Sequence, residues 1–348
     1  MNASKRMLIA ARGIFIAPIL VTVALAILGS SSTSGYEYGI TSTLCINIIA
    51  LVGLNMIAGH AGQLALGHAG LIGAGAYTVV VAGTRHGMSG PLTLILAPLI
   101  AAALAVLIGI PTLRLRGLYF SVGTLAFAVI IDFIDNRATT LTGGPDGTIV
   151  NPLKFGIHSY SAPRDFFYLV LIFTIAILIF ERLFVRSWVA WGLKAARASE
   201  PAAASAGVPI FSARLGTFAL AGAIAGLAGA LLAYQTQYVS PSSFTLQSSI
   251  DLFVVLFIGG VATFLGPVAG AFILYAFDRW LAPYPDIRPF ALGAVFLLAL
   301  RFFPGGLGGA LNSVYAYLTH SRRAIQRGPH APVLNDEEPE PVKAGVAP

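Results

Sequence analysis

Charge is scarce in this 348-residue chain: Asp, Glu, Lys and Arg make up 10% of it, against 57% hydrophobic residues. A soluble globular domain carries about 25% charged residues. With a mean hydropathy of +0.82, the chain reads as a polytopic membrane protein. The shortage excludes a sizeable water-soluble domain, so any ATPase or receptor domain belongs to another chain. A single cysteine, Cys45, lies inside an apolar run. That excludes a disulfide framework and points to a buried packing role.

Signature motifs of chemistry are also missing. There is no G-x-x-x-x-G-K-[ST], H-E-x-x-H or G-x-S-x-G, so phosphate-loop, zinc-protease and serine-hydrolase readings have no footing. No catalytic residues, cofactor or metal are expected. His60 and His68 lack a zinc spacing and a third ligand. Acids are almost missing from the apolar runs; Asp132 and Asp251 sit near run ends, within reach of interface water. Proton- or sodium-driven carriers often need an intramembrane carboxylate, so this favours energy supplied from outside the membrane. The net charge of +7 is assigned to topology, which Lys and Arg beside membrane spans set.

Apolar runs and glycine are plentiful. Runs at about 7–28, 40–58, 64–82, 92–110, 118–134, 166–185 and 215–233 are each near the roughly 20 residues that span a bilayer. A signal peptide has a shorter core of about 7–15 residues, so 7–28 is read as an uncleaved span. Residues 250–277 are apolar but interrupted at Gly259-Gly260 and Gly266-Pro267, and a last run covers 289–303. The fold class is all-α, with about 8–10 membrane segments of about 20 residues or less. Residues 1–39 form the first span and an outer loop, 40–327 the core domain, and 328–348 a disordered tail rich in Pro, Ala and acid.

Basic residues orient these segments. Lys5, Arg6 and Arg12, the 111–117 loop with Arg114 and Arg116, the 186–214 loop, and Arg322, Arg323 and Arg327 all favour the cytoplasm. Both termini are then cytoplasmic, provided 250–277 returns to the side it entered from. Its 28 or so residues are too few for two full spans of about 20 each. Two half-helices forming a re-entrant hairpin satisfy the count, and discontinuous helices commonly border transport sites.

Gly53 to Gly75, GLNMIAGHAGQLALGHAGLIGAG, is the stretch around which the other runs are organised. Its glycines admit close backbone or ligand approach. Asn55, Gln63 and His68 supply hydrogen-bonding groups at membrane depth, where polar groups face protein or a cavity. Interhelical hydrogen bonding and tight packing is the alternative for each side chain. Gly67, Gly70, Tyr119, Thr124, Gly259 and Gly260 join Asn55, Gln63 and His68 as candidate pathway residues. Tyr119 also reads as an interfacial aromatic, and Ser121 and Thr124 either face a cavity or bond back to the helix. Gly222 and Gly226 make a GxxxG packing face. In the basic 186–214 loop, Ser199 is a candidate N-cap for a short helix starting at Glu200-Pro201, stopped by Gly207 and Pro209.

In order along the chain, GLNMIAGHAGQLALGHAGLIGAGAY (53–77), RLRGLYFSVGTLAFA (114–128), LTGGPDG (141–147), Glu200–Gly207 and IGGVATFLGPVAGA (258–271) resemble the motifs of branched-chain amino acid ABC transporter permeases of the LivH/LivM family. The likeness is nearest to the LivM type. It implies a subunit of a bacterial inner-membrane importer, translocating branched-chain or other hydrophobic amino acids by ATP-coupled alternating access. The implied partners are a second, LivH-like permease, two cytoplasmic ABC ATPases and a periplasmic substrate-binding protein, with no nucleic acid. It also implies that Glu200, Ala202, Ala203 and Gly207 belong to the helix that docks on the ATPase. Here the segment keeps the alanines and glycine but not the second acid usual in the family. A urea or short-amide importer shares these motifs. A stand-alone secondary carrier is the alternative from another class.

Overall fold

Twenty residues from Gly35 to Leu54 form helix α1, whose start is capped by Ser34 Oγ accepting from Glu37 N–H at 3.3 Å. From Ile48 to Ile57 its residues are buried, and helices at Pro163–Phe184, Ile210–Thr236 and Gly266–Trp280 pack against it. A helix apolar on every side belongs in a core or a membrane. The computed structural model describes residues 34–309 except 116–117, 156–157, 282, 284–286 and 303–305. The expected first span, the tail and the terminal basic clusters lie outside the described residues.

After α1 come α2 (His68–Thr78), α3 (Gly90–Thr112), α4 (Leu118–Arg137) and α5 (Pro163–Phe184). Then follow α6 (Trp188–Ala198), α7 (Glu200–Ser205), α8 (Ile210–Thr236), α9 (Leu246–Gly259), α10 (Gly266–Trp280) and α11 (Arg288–Phe302). Among the described residues, seven helical segments are long and apolar enough to cross a membrane. The apolar piece Gly266–Phe277 is shorter. The chain is a mainly helical, multi-pass membrane protein. Wider π-turns extend α1 over Asn55–His60 and α2 over Val79–Arg85.

The long helix α8 is the second axis of the bundle, packed on α1, α2 and α3. Its small residues set those distances. A Cβ at Gly222 would fall on Ala105, and one at Gly226 would lie 2.5 Å from Ala101 Cβ, so the GxxxG face seats on α3. Gly229 meets the Ile72 carbonyl, and Gly75 of α2 meets the Gly226 carbonyl. Packing rather than water exclusion holds helices together in lipid, and small residues allow that close approach.

Several boundaries differ from the sequence reading: α1 starts at Gly35, within the expected outer loop, and α8 at Ile210 rather than near 215. Helix α3 runs through Pro111 to Thr112 rather than ending at 110. Leu113 N–H still reaches Gly109 O at 2.9 Å, and the Thr112 hydroxyl bonds back to Ile108 O at 2.7 Å. Proline removes one helix hydrogen bond, and the last turn survives it. The third segment becomes helical only at His68, leaving 61–67 outside regular helix.

The connection 138–162 holds a single turn at Thr139–Thr142, a 3₁₀ turn at Gly144–Asp146 and short extended pairs. Gly143, Gly144 and Gly147 have φ of 86°, 70° and 69°, conformations glycine adopts freely. Thr148 and Ile149 pair antiparallel with Val239 and Tyr238, tying this connection to the end of α8.

Candidate functional site

Two interruptions break the helical runs described above. The first, Ala61–Gly67, follows the π-turn at the end of α1. The second, Gly260–Leu265, separates α9 from α10. Asn55 joins them. It is fully buried, its Oδ1 accepts from Ala262 N–H at 2.9 Å, and its Nδ2 donates to Thr263 O at 3.1 Å. Nδ2 also donates to Glu181 Oε1 at 2.8 Å. One side chain thus satisfies backbone groups that a broken helix leaves unpaired. It also holds Ala262, which has the positive φ of 62° that non-glycine residues rarely adopt.

Glu181 corrects the expectation that acids are almost missing from the spans. It lies in the last turn of α5, is 0% exposed, and its Oε2 has no hydrogen-bond partner among the described residues. The charge-bearing Glu181-Arg182 pair was visible in an otherwise apolar run. Arg182 places its guanidinium 5.2 Å from the Phe264 ring centroid, so this pair brackets the second interruption.

The first interruption is stitched by hydroxyls from other helices. Leu66 N–H donates to Thr124 Oγ1 at 3.1 Å, and Ala69 N–H to Ser249 Oγ at 3.0 Å. A Cβ at Gly67 would sit 2.5 Å from Thr124 O, whereas one at Gly70 would make ordinary contact with Ile131 at 3.7 Å. His68 is 1% exposed and its Nε2 lies 3.0 Å from Ala50 O. Gln63 is half-buried; its Oε1, like His60 Nε2, has no partner among the described residues.

The second interruption is closed by backbone. A Cβ at Gly259 would collide with Gly266 O, and one at Gly266 with Gly260 O. Gly260 has φ 112°. Gly306 also lies against Gly260. Helices α9 and α10 pack on each other, and Arg279 at the end of α10 comes within 4.0 Å of Glu37 at the start of α1.

Of the candidate pathway residues, Asn55, Gly259 and Gly260 therefore share one site, and Gly67, His68 and Thr124 share a neighbouring one. Gly70 lies against α4, and Tyr119 stands apart, 72% exposed. The space between Gly67, His68, Thr124 and Phe127 is ≈ 10 Å³, about the room one water needs. A cavity of ≈ 250 Å³ lies beside it, lined by Asn47, Ala69, Ile72, Ser248, Asp251 and Leu274 among others. The sequence reading missed Glu181, Ser249, Thr263 and Arg197.

A short exposed helix stands at the end of α6. Ser199 Oγ accepts from Ala202 N–H at 3.4 Å, capping α7 as its sequence position anticipated. Ala203 is the buried residue of this helix, while Ala202, Ala204 and Gly207 are exposed. Gly207 has φ 79° with open space where a Cβ would stand. Glu200 pairs with Arg214 at 2.9 Å, a partly exposed bridge worth little to stability.

Interrupted helices are typical of the sites of membrane transporters. Residues 35–300 match the family described as branched-chain amino acid transport system / permease component, and the chain belongs to that family. It is 29% identical over 314 residues to the high-affinity branched-chain amino acid transport system permease protein LivM of Salmonella typhimurium, covering 83% of this chain and 74% of the relative. The Escherichia coli LivM protein gives the same identity and coverage. No solved structure matches the chain.

Proposed function

We propose that this chain is one of two permease subunits of a bacterial inner-membrane ABC importer for branched-chain or other hydrophobic amino acids. The observation that carries the reading is the family match over 35–300 together with the exposed Glu200–Ser205 helix. Small side chains and a capped start suit that helix to a groove on an ATPase. The chain itself makes no covalent intermediate. Its ATPase partners move Glu200, Ala202, Ala203 and Gly207, the attached spans tilt, and a passage beside the partner permease opens alternately to each side. A few kcal/mol of differential contact suffices for such a shift.

In this reading the 186–214 loop and both termini face the cytoplasm, and α9–α10 is a re-entrant hairpin. The Arg279–Glu37 approach supports the hairpin, because it sets the end of α10 beside the start of α1. Asn55, Gln63, Gly67, His68 and Thr124 support the wall of the passage, and the periplasmic binding protein chooses the substrate.

The test is uptake into proteoliposomes containing this chain with a partner permease, ATPases and a binding protein of the branched-chain amino acid type. Leucine uptake that requires ATP is the expected result. Uptake by this chain alone, driven by a proton gradient, would contradict the ABC reading and turn attention to Glu181. ATP-dependent uptake of urea but not leucine would replace the substrate. Glu200→Lys and Gly207→Asp should each lower uptake at least tenfold, within the usual 5–150-fold range of coupling between sites, while the chain still inserts.

A further inference from the structure

We propose that Arg197 is the positioning residue that ties movement of the Glu200–Ser205 helix to both helix interruptions. The proposal rests on the reading of that helix as the ATPase contact. Its evidence is a continuous series of bonds. Arg197 is in the last turn of α6, and Ser199 both closes α6, through its N–H to Ala195 O at 3.0 Å, and caps α7. The two helices thus share a corner one residue long, and displacement of α7 carries Arg197 with it.

Arg197 Nη1 donates to Gly59 O at 2.6 Å. The last carbonyls of a helix lack internal partners and carry partial negative charge, so an arginine suits this position. Its aliphatic chain lies along the first interruption. A Cβ at Gly62, where φ is 68°, would stand 3.2 Å from Arg197 Cδ and 3.3 Å from Cγ. The glycine at 62 therefore makes room for the arginine. Gly59 is in the same π-turn as Asn55, and the Asn55 Oδ1 occupies the space where a Gly59 Cβ would project. Asn55 in turn holds Ala262 N–H and Thr263 O. The route runs from α7 through Arg197 to Gly59, then through Asn55 to the second interruption. Arg197 is exposed, so its bond adds little to folding; its effect is on where the end of α1 stands when α7 moves.

The test uses the complete importer in proteoliposomes, comparing the wild-type chain with Arg197→Ala and Arg197→Lys. Binding-protein-stimulated ATP hydrolysis and substrate uptake are measured on the same samples, with co-purified ATPase subunits as the check on assembly. Arg197→Ala is expected to keep hydrolysis within about twofold and to lower uptake at least about tenfold, a separation within the usual range of allosteric coupling. Arg197→Lys, whose ammonium reaches the same carbonyl, should recover part of the uptake. Unchanged uptake in Arg197→Ala, or parallel loss of uptake, hydrolysis and assembly, would overturn the proposal. If the wild-type chain assembles with no ATPase, the functional reading fails instead.

Discussion

The interruption at 61–67 is closed by side chains that reach in from other helices, whereas the one at 260–265 adds backbone lying on backbone to the single side chain of Asn55. Thr124 bonds within the first through a hydroxyl, and Ser249 and Arg197 hold its two borders through a hydroxyl and a guanidinium. Gly259, Gly260, Gly266 and Gly306 serve the second by having no side chain. Polar side chains across helices are individually modest in lipid, so the first interruption is adjustable one bond at a time. The second has no such latitude, because a carbonyl in contact with a glycine moves only if its helix moves. The two thus differ in what closes them, and Asn55, at the end of α1, bonds to the second.

Substitutions of decreasing effect probe that contrast. Gly259→Val should be the most damaging, since its side chain lands on the Gly266 carbonyl. Overpacking of this kind is worth about 3 kcal/mol or more, read as loss of folded protein in a detergent melting experiment. Asn55→Leu strands both Glu181 and Ala262 N–H, at about 2–3 kcal/mol. Combining it with Glu181→Leu should destabilise by less than the sum, because removing both partners leaves fewer unpaired groups. Gly67→Ala should be clearly destabilising through its contact with Thr124 O, whereas Gly70→Ala, facing Ile131 at ordinary distance, should stay within about 0.5 kcal/mol. Equal effects at 67 and 70 would erase the distinction between a sealed position and a merely small one.

Much of this was legible in the sequence because it is local. Apolar run lengths gave the membrane helices, the Gly222–Gly226 spacing gave a packing face, and Ser199 with Glu200-Pro201 gave a capped helix. The interruption within 250–277 was marked by its glycines. The pairings were not legible. Asn55 meets Glu181 across 126 positions, and Ala69 meets Ser249 across 180; no local period encodes such partners. Gly67 and Gly70 look alike within one motif and differ only in what packs on them. Tyr119 sits within a motif yet is largely exposed. Glu181 was readable as an acid in an apolar run, but its interior position followed only from Asn55.

The most direct measurement concerns the second interruption. Single cysteines at Thr245 and Trp280, introduced in turn after replacing the buried Cys45, would be labelled with a membrane-impermeant thiol reagent in sealed vesicles of known orientation. If α9 and α10 enter and leave on one side, with their turn held by Asn55, both positions are labelled from the same side. Labelling of the two from opposite sides would contradict the hairpin and the pairing of the two interruptions.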